Sequence, residues 1–393
     1  MDRRRFLVLS GAAGAAALAR GRVAFATTPG EARFVFVFLR GGLDGLHALV
    51  PHADADYRRL RPGLALTGEA VRDLDGYFGL NAALDPLLPL WHAGELAFVP
   101  AAATRYRDRS HFDGQNLLEN GTGQPFGARD GWLNRAIAGL TGGDRRLGLS
   151  LGTTVPLILQ GAAPIQAWTN ETIPDPSEDF LNRIARLYAD DPQFDAAYRA
   201  ARNGVQPEMD MMDMAGVNGR PGAGGEFILA ARAAGALLAH PRGPRIAVMD
   251  LTGWDTHVNQ AGRLTNRLGI LARGMTALRD ALGADWSRTV VMVGSEFGRT
   301  AAENGAGGTD HGTGGLAILA GGAVAGGRVL GDWPGLGARD LFEGRDVQAL
   351  NAYEGIFKAV LSDHLGLDRA YLDRVVFPGA EGIAPAPGLF RPV

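Results

Sequence analysis

Short, continuously apolar segments recur along the chain, with room for a helix between most of them. Strands that are buried on both faces of a parallel sheet have this continuous pattern, whereas half-exposed strands alternate between apolar and polar residues. The pattern therefore predicts six strands. They lie at residues 34–39, 96–99, 147–151, 245–251, 289–293 and 316–320.

Apolar residues spaced by three and four follow the fourth predicted strand and indicate a helix of about seven turns. The stripe consists of Val258, Ala261, Leu264, Leu268, Leu271, Met275, Leu278 and Leu282. A strand, a helix and a strand form a βαβ unit, so the strands at 245–251 and 289–293 should be parallel and adjacent. Further helices are predicted at 179–202, 226–240 and 352–365.

These elements predict an α/β fold with a doubly wound, mostly parallel sheet and helices on both faces. No break in composition divides the chain, so we expect one domain over residues 27–393 with a helical insertion at about 170–240. Segment 204–225 mixes Gly, Pro and Asn with four methionines, and we interpret it as an exposed loop. A copper-binding methionine cluster is the alternative, and the absence of a nearby histidine argues against it.

The first 26 residues have the pattern of an export signal. Residues 3–7 read R-R-R-F-L, residues 8–19 are small and apolar, and residues 24–26 read A-F-A. We interpret 1–26 as a Tat signal peptide that directs the folded protein to the periplasm or out of the cell. A transmembrane anchor is the alternative, but the apolar stretch is shorter than the ~20 residues of a membrane span. No stable membrane span is expected elsewhere.

Charge and cysteine content narrow the function. The 393 residues contain 39 Lys+Arg and 42 Asp+Glu, and cleavage after residue 26 would leave 34 against 41. An acidic protein of this kind is poorly suited to nucleic acid, so no nucleic-acid partner is expected. Because the chain has no cysteine, thiolate sites are excluded and any metal must be held by His, Asp or Glu.

Polar residues cluster where the predicted strands end. The carboxyl ends of parallel strands lie along one edge of a sheet, and ligands bind in the crevice there. A glycine-rich loop at 305–315 leads into the last strand and can approach that edge closely. The candidates for metal ligands are Asp44, His111, Asp255, His257, Glu296, Asp310 and His311. This donor set predicts a site for one or two divalent cations, with Zn²⁺, Mn²⁺, Mg²⁺ or Ca²⁺ as the choices.

Structural roles compete with chemical ones at several positions. Asp44 among glycines can simply shape a turn. Ser110, followed by Asp113, resembles a helix N-cap, yet a helix N-terminus also stabilises an oxyanion, so Ser110 is a candidate nucleophile as well. Glu296 after a buried strand is either a ligand or the partner of Arg299. The other five histidines are interpreted as surface or helix-end residues: His47, His52, His92, His240 and His364.

Six motifs occur in order along the chain and carry a resemblance to a known family. They are F-L-R-G-G-L-D-G-L, R-S-H-F-D-G-Q, G-W-D-T-H, S-E-F-G-R-T, G-G-T-D-H-G and G-D-W-P-G-L. With the Tat signal, they resemble the domain of unknown function 1501 family. That family is grouped with the alkaline phosphatase and sulfatase superfamily. The resemblance implies an alkaline phosphatase-like doubly wound sheet with a two-metal site at the strand ends.

The resemblance also implies roles for the candidates. Asp44 resembles the first-strand aspartate that contacts a metal, Asp255 and His257 resemble the ligands of one metal, and His311 resembles the late histidine. Ser110 occupies the place of the superfamily nucleophile.

Two departures from the superfamily pattern concern the metal site and the nucleophile. Glu296 and Phe297 replace an Asp-His pair, so either His111 or Asp310 fills the gap or only one metal binds. The Asp255-x-His257 spacing is also shorter than in the superfamily. The residue that sulfatases convert to formylglycine has no counterpart, so type I sulfatase chemistry is not expected.

Two functional hypotheses from different classes follow. The first is an exported metal-dependent hydrolase acting on a phosphate or related ester, either a small molecule or a polymer-borne anionic ester. The metal would activate Ser110 or a water, and Arg40, Arg109 or Arg299 would hold the anion. The second is a non-catalytic extracytoplasmic binding or assembly protein with a protein partner, which Phe297 favours. Metal storage or delivery ranks last.

Overall fold

A computed structural model describes residues 31–141, 147–169, 178–189, 191, 195, 198 and 224–391. The predicted signal peptide at 1–26 lies outside the described residues. So does nearly all of the predicted methionine-containing loop at 204–225. Among the described residues, no helix is both long enough and apolar enough to cross a bilayer.

Nine strands of the described chain form the central sheet, and all six predicted strands are among them. They are β1 (Arg33–Arg40), β2 (Leu96–Ala103), β3 (Gly148–Leu151), β4 (Ile165–Trp168), β5 (Ile246–Thr252), β6 (Thr289–Gly294), β7 (Gly315–Ala320), β8 (Arg328–Val329) and β9 (Asn351–Ala352). Their order is β8-β2-β7-β6-β1-β5-β3-β4, and β9 pairs with the carboxyl end of β2.

The sheet is mostly parallel. Strand β7 is antiparallel to both of its neighbours, β6 and β2, whereas the other pairs are parallel. The carboxyl ends of β1, β2, β5 and β6 therefore lie at one edge, together with the amino end of β7. This is the edge at which the sequence predicts the metal site.

One predicted pairing is wrong. Strands β5 and β6 are parallel, but β1 lies between them and pairs with both. The residues 34–39 of β1 are completely buried on both faces, which suits the middle of the sheet. The connecting helix of 23 residues, about 34 Å long, has ample length to cross one additional strand.

Six longer helices of the described residues accompany the sheet. They are α1 (His111–Asn120), α2 (Trp132–Thr141), α3 (Glu178–Tyr188), α4 (Gly225–Ala239), α5 (Gln260–Leu282) and α6 (Tyr353–Ala359), the last continuing as a π-helix over Val360–His364. Helix α5 begins two residues after Val258, so the first residue of the predicted stripe is outside the helix and half-exposed. The N-cap pattern at Ser110 indicated the start of α1 but not its extent, and α2 was not predicted.

The helices cover both faces of the sheet. Val35, Val37 and Leu39 of β1 share one buried cluster with apolar residues of α4 and α5. The alternate residues, Phe34 and Phe36 among them, share the other cluster with α2 and α6. A doubly wound α/β fold is thus confirmed, and α4 belongs to one of its helical layers. The boundaries of the domain and of the insertion stay predictions.

The remaining elements are short and lie around this frame. Two small sheets contain Leu49–Val50, Val71–Asp73 and Gly79–Asn81, and Leu341–Phe342 and Asp346–Val347. Short helical segments lie at Gly45–Ala48, Tyr57–Leu60, Gly68–Ala70, Ala82–Leu87, Leu88–His92, Leu157–Leu159, Gly283–Arg288, Arg369–Tyr371 and Leu372–Val376.

Candidate metal centre

Loops at the predicted edge of the sheet position the candidate ligands. His111 is the first residue of α1, and Asp255 and His257 lie between β5 and α5. His311 lies in the glycine-rich loop before β7. The loops approach closely because glycine stands at the contact: a Cβ added to Gly308 would lie 2.3 Å from the carbonyl of His257.

Three imidazoles and one guanidinium meet at the carboxylate of Asp255. Its Oδ1 accepts a 2.7 Å hydrogen bond from Nη1 of Arg299 and lies 2.9 Å from Nε2 of His257 and 3.3 Å from Nε2 of His311. Its Oδ2 lies 3.5 Å from Nε2 of His111. The Nε2 atoms of His257 and His311 are 3.0 Å apart. The structure therefore brings four of the seven predicted ligands together.

The other ring nitrogen of each histidine has its own partner. In each case Nδ1 lies within hydrogen-bond distance of an acceptor oxygen, which fixes the ring and directs Nε2 inwards. The acceptors are Glu296 for His111 (2.7 Å), the backbone carbonyl of Arg109 for His311 (2.9 Å) and Asp310 for His257 (3.2 Å). Histidines that bind metals are held by such outer partners.

The geometry of these atoms fits a small divalent cation. Tetrahedral coordination with bonds of about 2.0–2.1 Å places neighbouring ligand atoms roughly 3.3 Å apart, and the three Nε2 atoms lie 2.9, 3.3 and 3.5 Å from the nearer oxygen of Asp255. Nε2 of His111 is buried and has no hydrogen-bond partner in the described structure. Ligand atoms of His111, Asp255 and His311 all lie within 4.8 Å of one another. These three residues can hold a metal, and His257 adjoins them through its contacts with Asp255 and His311.

Protonation states at the centre suit cation binding. Burial opposes ionisation of Asp255, but the hydrogen bond and charge of Arg299 hold the pKa of this carboxyl at about 2. Burial lowers the pKa of His311, which favours the neutral imidazole that metals require. Burial also disfavours the charged form of His111, yet its bond to Glu296 raises its pKa overall. A cation would compete with a proton at His111.

Glu296 acts on the centre through His111. Its Oε1 accepts hydrogen bonds from Gln115 and from the backbone of Gly41, each at 2.9 Å, and Oε2 accepts from Ser295. The buried carboxylate is therefore occupied by protein donors, and the structure gives it neither predicted role, as ligand or as partner of Arg299. Gly41 allows this approach, with φ of +121° and a Cβ position only 2.6 Å from the amide of Asp255.

The structure does not bring Asp44 to Asp255. Both oxygens of Asp44 face the guanidinium of Arg61, at 2.6 and 3.0 Å, and Oδ2 also accepts from Gln260. Asp44 and Arg61 are almost completely buried. The charge of Asp44 is neutralised by an arginine that no motif indicated, so its predicted role as a metal ligand has no geometric support.

Of the three arginines predicted to hold an anion, only Arg299 reaches the centre, and it does so by pairing with Asp255. The side chain of Arg109 binds Asp346 and Glu343. Arg109 has φ of +61°, and this left-handed conformation accompanies the contact between its carbonyl and His311. Arg40 binds Glu119 and Asp250. All three guanidinium groups already have carboxylate partners.

Ser110 is the N-cap of α1. Its backbone is extended, and its hydroxyl oxygen accepts from the amide of Asp113 at 3.5 Å. The hydroxyl lies beside His111 in the chain, at the start of a helix that begins at the centre. Both predicted roles of Ser110, cap and nucleophile, are compatible with this position.

Sequence reasoning did not predict the supporting roles of several residues around the centre. Phe297 packs against the rings of His111 and His311, with ring centroids 4.8 and 5.2 Å apart. Thr309 and Gln260 connect Arg299 to Asp44 through hydrogen bonds. The R-S-H-F-D-G-Q motif contained a signal for Gln115, because positions four apart lie on one face of a helix.

The interpretation of His47 as a surface or helix-end residue is wrong as to exposure. His47 is completely buried beside the Asp44–Arg61 pair, and neither ring nitrogen has a hydrogen-bond partner in the described structure. Burial lowers the pKa of His47 to about 4, against the attraction of Asp44. His47 lies in the last turn of the short helix Gly45–Ala48, so the helix-end part of the interpretation is correct.

Solved structures with a similar course of the chain are distant in sequence. The lipoteichoic acid synthase LtaP from Listeria monocytogenes is 10% identical, with 95% of this chain and 82% of that chain covered and a TM-score of 0.40. A protein in the alkaline phosphatase superfamily from Vibrio parahaemolyticus is 12% identical, with 81% and 68% covered and a TM-score of 0.35. The C-terminal periplasmic domain of EptC from Escherichia coli, solved with zinc, is 8% identical, with 74% and 73% covered and a TM-score of 0.35.

Comparison with sequences identifies the family. No curated protein matches the chain. The model of the family described as "Protein of unknown function (DUF1501)" matches residues 101–376, which is well over half of the chain and includes the motifs from R-S-H-F-D-G-Q to G-D-W-P-G-L. The protein belongs to the DUF1501 family.

Proposed function

We propose that this protein is a metal-dependent hydrolase of phosphate or related esters. The proposed ligands of its single divalent cation are His111, Asp255, His257 and His311. One observation carries the proposal: three imidazoles have Nδ1 fixed by separate acceptors while their Nε2 atoms converge on one carboxylate. A purely structural histidine cluster has no need for this arrangement of both ring nitrogens.

The reaction adds water across the ester bond. A new bond forms between the phosphorus and the attacking oxygen, the bond to the alcohol oxygen breaks, and that oxygen leaves with a proton. A bound cation would neutralise charge on the non-bridging oxygens and activate the nucleophile. The chain orients the ligands through Glu296 and Asp310, and the buried Arg299 holds Asp255 ionised and in place.

The surroundings of Asp255 favour one cation. Arg299 already supplies a full positive charge on one side of this carboxylate. The apolar ring of Phe297, which offers no ligand atom, packs against His111, and Asp44 is neutralised by Arg61. A second cation would lack an unpaired carboxylate among the described residues around Asp255.

The test measures the metal content and the turnover of purified protein that comprises residues 27–393. Elemental analysis should give about one equivalent of a divalent metal, and a panel of phosphomonoesters, phosphodiesters and sulfate esters should show hydrolysis. His257→Ala should lose both. His52→Ala is the matched control, because His52 is a half-buried histidine that pairs with Asp73 and not with the centre. It should retain both.

Two outcomes would contradict the proposal. Absence of metal and of turnover on every ester would instead support a binding or assembly protein. Tightly bound metal without turnover would instead support metal storage or delivery. The two outcomes differ in metal content, so one preparation separates them.

Export through the Tat pathway to the periplasm or cell exterior is proposed from residues 1–26. The twin arginines Arg3 and Arg4, the apolar stretch and the A-F-A site support it. Replacing both arginines by lysine should leave the protein in the cytoplasm upon cell fractionation. Unchanged export of that variant would contradict this proposal without touching the hydrolase.

A further inference from the structure

Two exposed apolar side chains directly follow histidines of the proposed metal centre. Phe112 follows His111 and is 84% exposed, the largest value among the exposed large hydrophobic residues of the described chain. Val258 follows His257 and is 47% exposed. Single exposed hydrophobic residues are common on proteins, so their position, and not their exposure alone, is informative.

In the chain, the two residues directly follow the two outer histidines of a row of three rings. The ring centroids of His111 and His311 are 4.3 Å apart, and those of His311 and His257 are 4.8 Å apart. Phe112 is therefore next to one end of the row and Val258 next to the other, each one Cα step of about 3.8 Å from a histidine. Since His111 and His257 are held by Glu296 and Asp310, the neighbouring backbone is fixed as well.

Helix packing does not use these residues. The buried apolar residues of α1 include Leu117 and Leu118, whereas Phe112 faces solvent in the first turn. Val258 fits the apolar stripe of α5 in sequence, but the helix begins only at Gln260 and leaves this residue outside. Both positions expose an apolar group where a polar residue would be less costly.

The charges around the centre limit the charge of the substrate. Asp255, Glu296 and Asp310 together carry three negative charges, which Arg299 and one divalent cation would balance. Three arginines at this edge are already paired with carboxylates: Arg40 with Glu119 and Asp250, Arg109 with Glu343 and Asp346, and Arg299 with Asp255. None of these three is available to neutralise the second charge of a phosphomonoester dianion.

We propose that the centre takes a monoanionic diester with an apolar organic group on each side of the phosphate. Phe112 contacts one group and Val258 the other. This specificity rests on the proposed hydrolase function and adds its substrate class. Hydrolysis of such a diester yields one alcohol and one phosphomonoester, with water supplying the new oxygen at phosphorus.

Three probes separate charge from shape. Bis(p-nitrophenyl) phosphate is a monoanion with two aryl groups, p-nitrophenyl sulfate is a monoanion with one, and p-nitrophenyl phosphate is largely a dianion with one. We expect kcat/KM to be highest for the diester. Phe112→Ala should lower kcat/KM for the diester roughly 3- to 10-fold, mainly through KM, because it removes an aromatic contact. The effect on p-nitrophenyl phosphate should be smaller.

Binding provides a readout that does not depend on turnover. Calorimetry on the purified, metal-containing protein should show tighter binding of diphenyl phosphate than of phenyl phosphate, and Phe112→Ala should weaken the former roughly 3- to 10-fold. Phe180→Ala is the matched control, since Phe180 is a half-exposed phenylalanine on α3, which contributes no residue to the centre. It should change neither measurement.

Two results would overturn the inference while the proposed function stands: a higher kcat/KM for p-nitrophenyl phosphate than for the diester, or a diester kcat/KM unchanged in Phe112→Ala. If no ester is hydrolysed, the proposed function fails, and diphenyl phosphate binding then decides the inference by itself. Equal binding to the parent protein and to Phe112→Ala would overturn it in that case.

Discussion

Asp44 and Asp255 are carboxylates at the same edge of the same sheet, yet their surroundings differ. Asp44 is 1% exposed and faces Arg61 with both oxygens. Asp255 shares one oxygen among Arg299 and two imidazoles, and its side chain is 44% exposed. One aspartate has its charge matched by a dedicated partner inside the protein, and the other lies within reach of solvent and of four cationic or ligating groups.

The difference teaches that unused bonding capacity distinguishes a site from a structural ion pair. The Asp44–Arg61 pair is closed, because Gln260 and the carbonyls of Thr300 and Ala301 occupy further polar atoms around it. At Asp255, two Nε2 atoms face each other at 3.0 Å, and a third has no hydrogen-bond partner among the described residues. A cation would satisfy these nitrogens together.

Breaking the closed pair should produce the largest effect on stability. Arg61→Met leaves the charge of Asp44 buried without a partner, so we expect the free energy of unfolding to fall by about 3–5 kcal/mol in chemical denaturation. Adding Asp44→Asn should recover much of this loss, because it removes the stranded charge. Metal content should stay near that of the parent protein. Loss of metal with unchanged stability would instead make Asp44 a ligand.

A smaller effect is expected from His47, which is buried beside the Asp44–Arg61 pair and should make stability depend on pH. Burial lowers the pKa of His47 to about 4, whereas the unfolded chain takes up this proton near pH 6.5. The contribution of neutral His47 is therefore complete above pH 6.5 and decreases as pH falls towards 4, by roughly 3 kcal/mol. Denaturation between pH 7 and 4 should show the decrease, and His47→Leu should flatten it.

The half-buried His52, which pairs with Asp73, provides the control for this measurement: His52→Ala should retain the decrease that is attributed to His47. A parent protein whose stability does not change between pH 6.5 and 4.5 would show that His47 is not held neutral by the fold.

Substitutions around Asp255 should change metal affinity more than the free energy of unfolding. Glu296→Gln keeps the shape of the side chain but removes the charge that orients His111 and increases its basicity. We expect metal affinity to fall about 10- to 100-fold in competition with a chelator. Glu381→Gln, at an exposed glutamate, should leave it unchanged. Equal affinity in Glu296→Gln and the parent protein would argue against a supporting role of Glu296.

The sequence predicted where the strands lie along the chain better than it predicted which strands pair. Continuously apolar strands need burial on both faces, which a sheet between two helical layers provides. This pattern therefore predicted six strands of the sheet. Strand β4 was missed because its burial alternates and its run is short. The position of β1 between β5 and β6 was also missed, because pairing depends on competition among all strands and not on the βαβ segment alone.

The candidate site was predictable only where local position determines geometry. Strand ends bring His111, Asp255, His257 and His311 to one edge, and this required no knowledge of side-chain partners. The role of Glu296 depends on His111, 185 residues away, and that of Asp44 depends on Arg61, which no periodicity or motif connects to it. Charge pairing over such distances is set by the folded packing of loops.

The smallest expected effect is at Ser110, which lies between the two kinds of surroundings. Its hydroxyl caps α1 and the next residue is a proposed ligand. We expect Ser110→Ala to lower the free energy of unfolding by about 1 kcal/mol and to leave metal content unchanged, because a cap is lost and no ligand is. Turnover should fall less than about 10-fold if water is the nucleophile, as a loss of this size reflects positioning of His111. Loss of all turnover with metal and fold retained would instead make this hydroxyl the attacking group, and a burst of alcohol release in the parent protein would then accompany it.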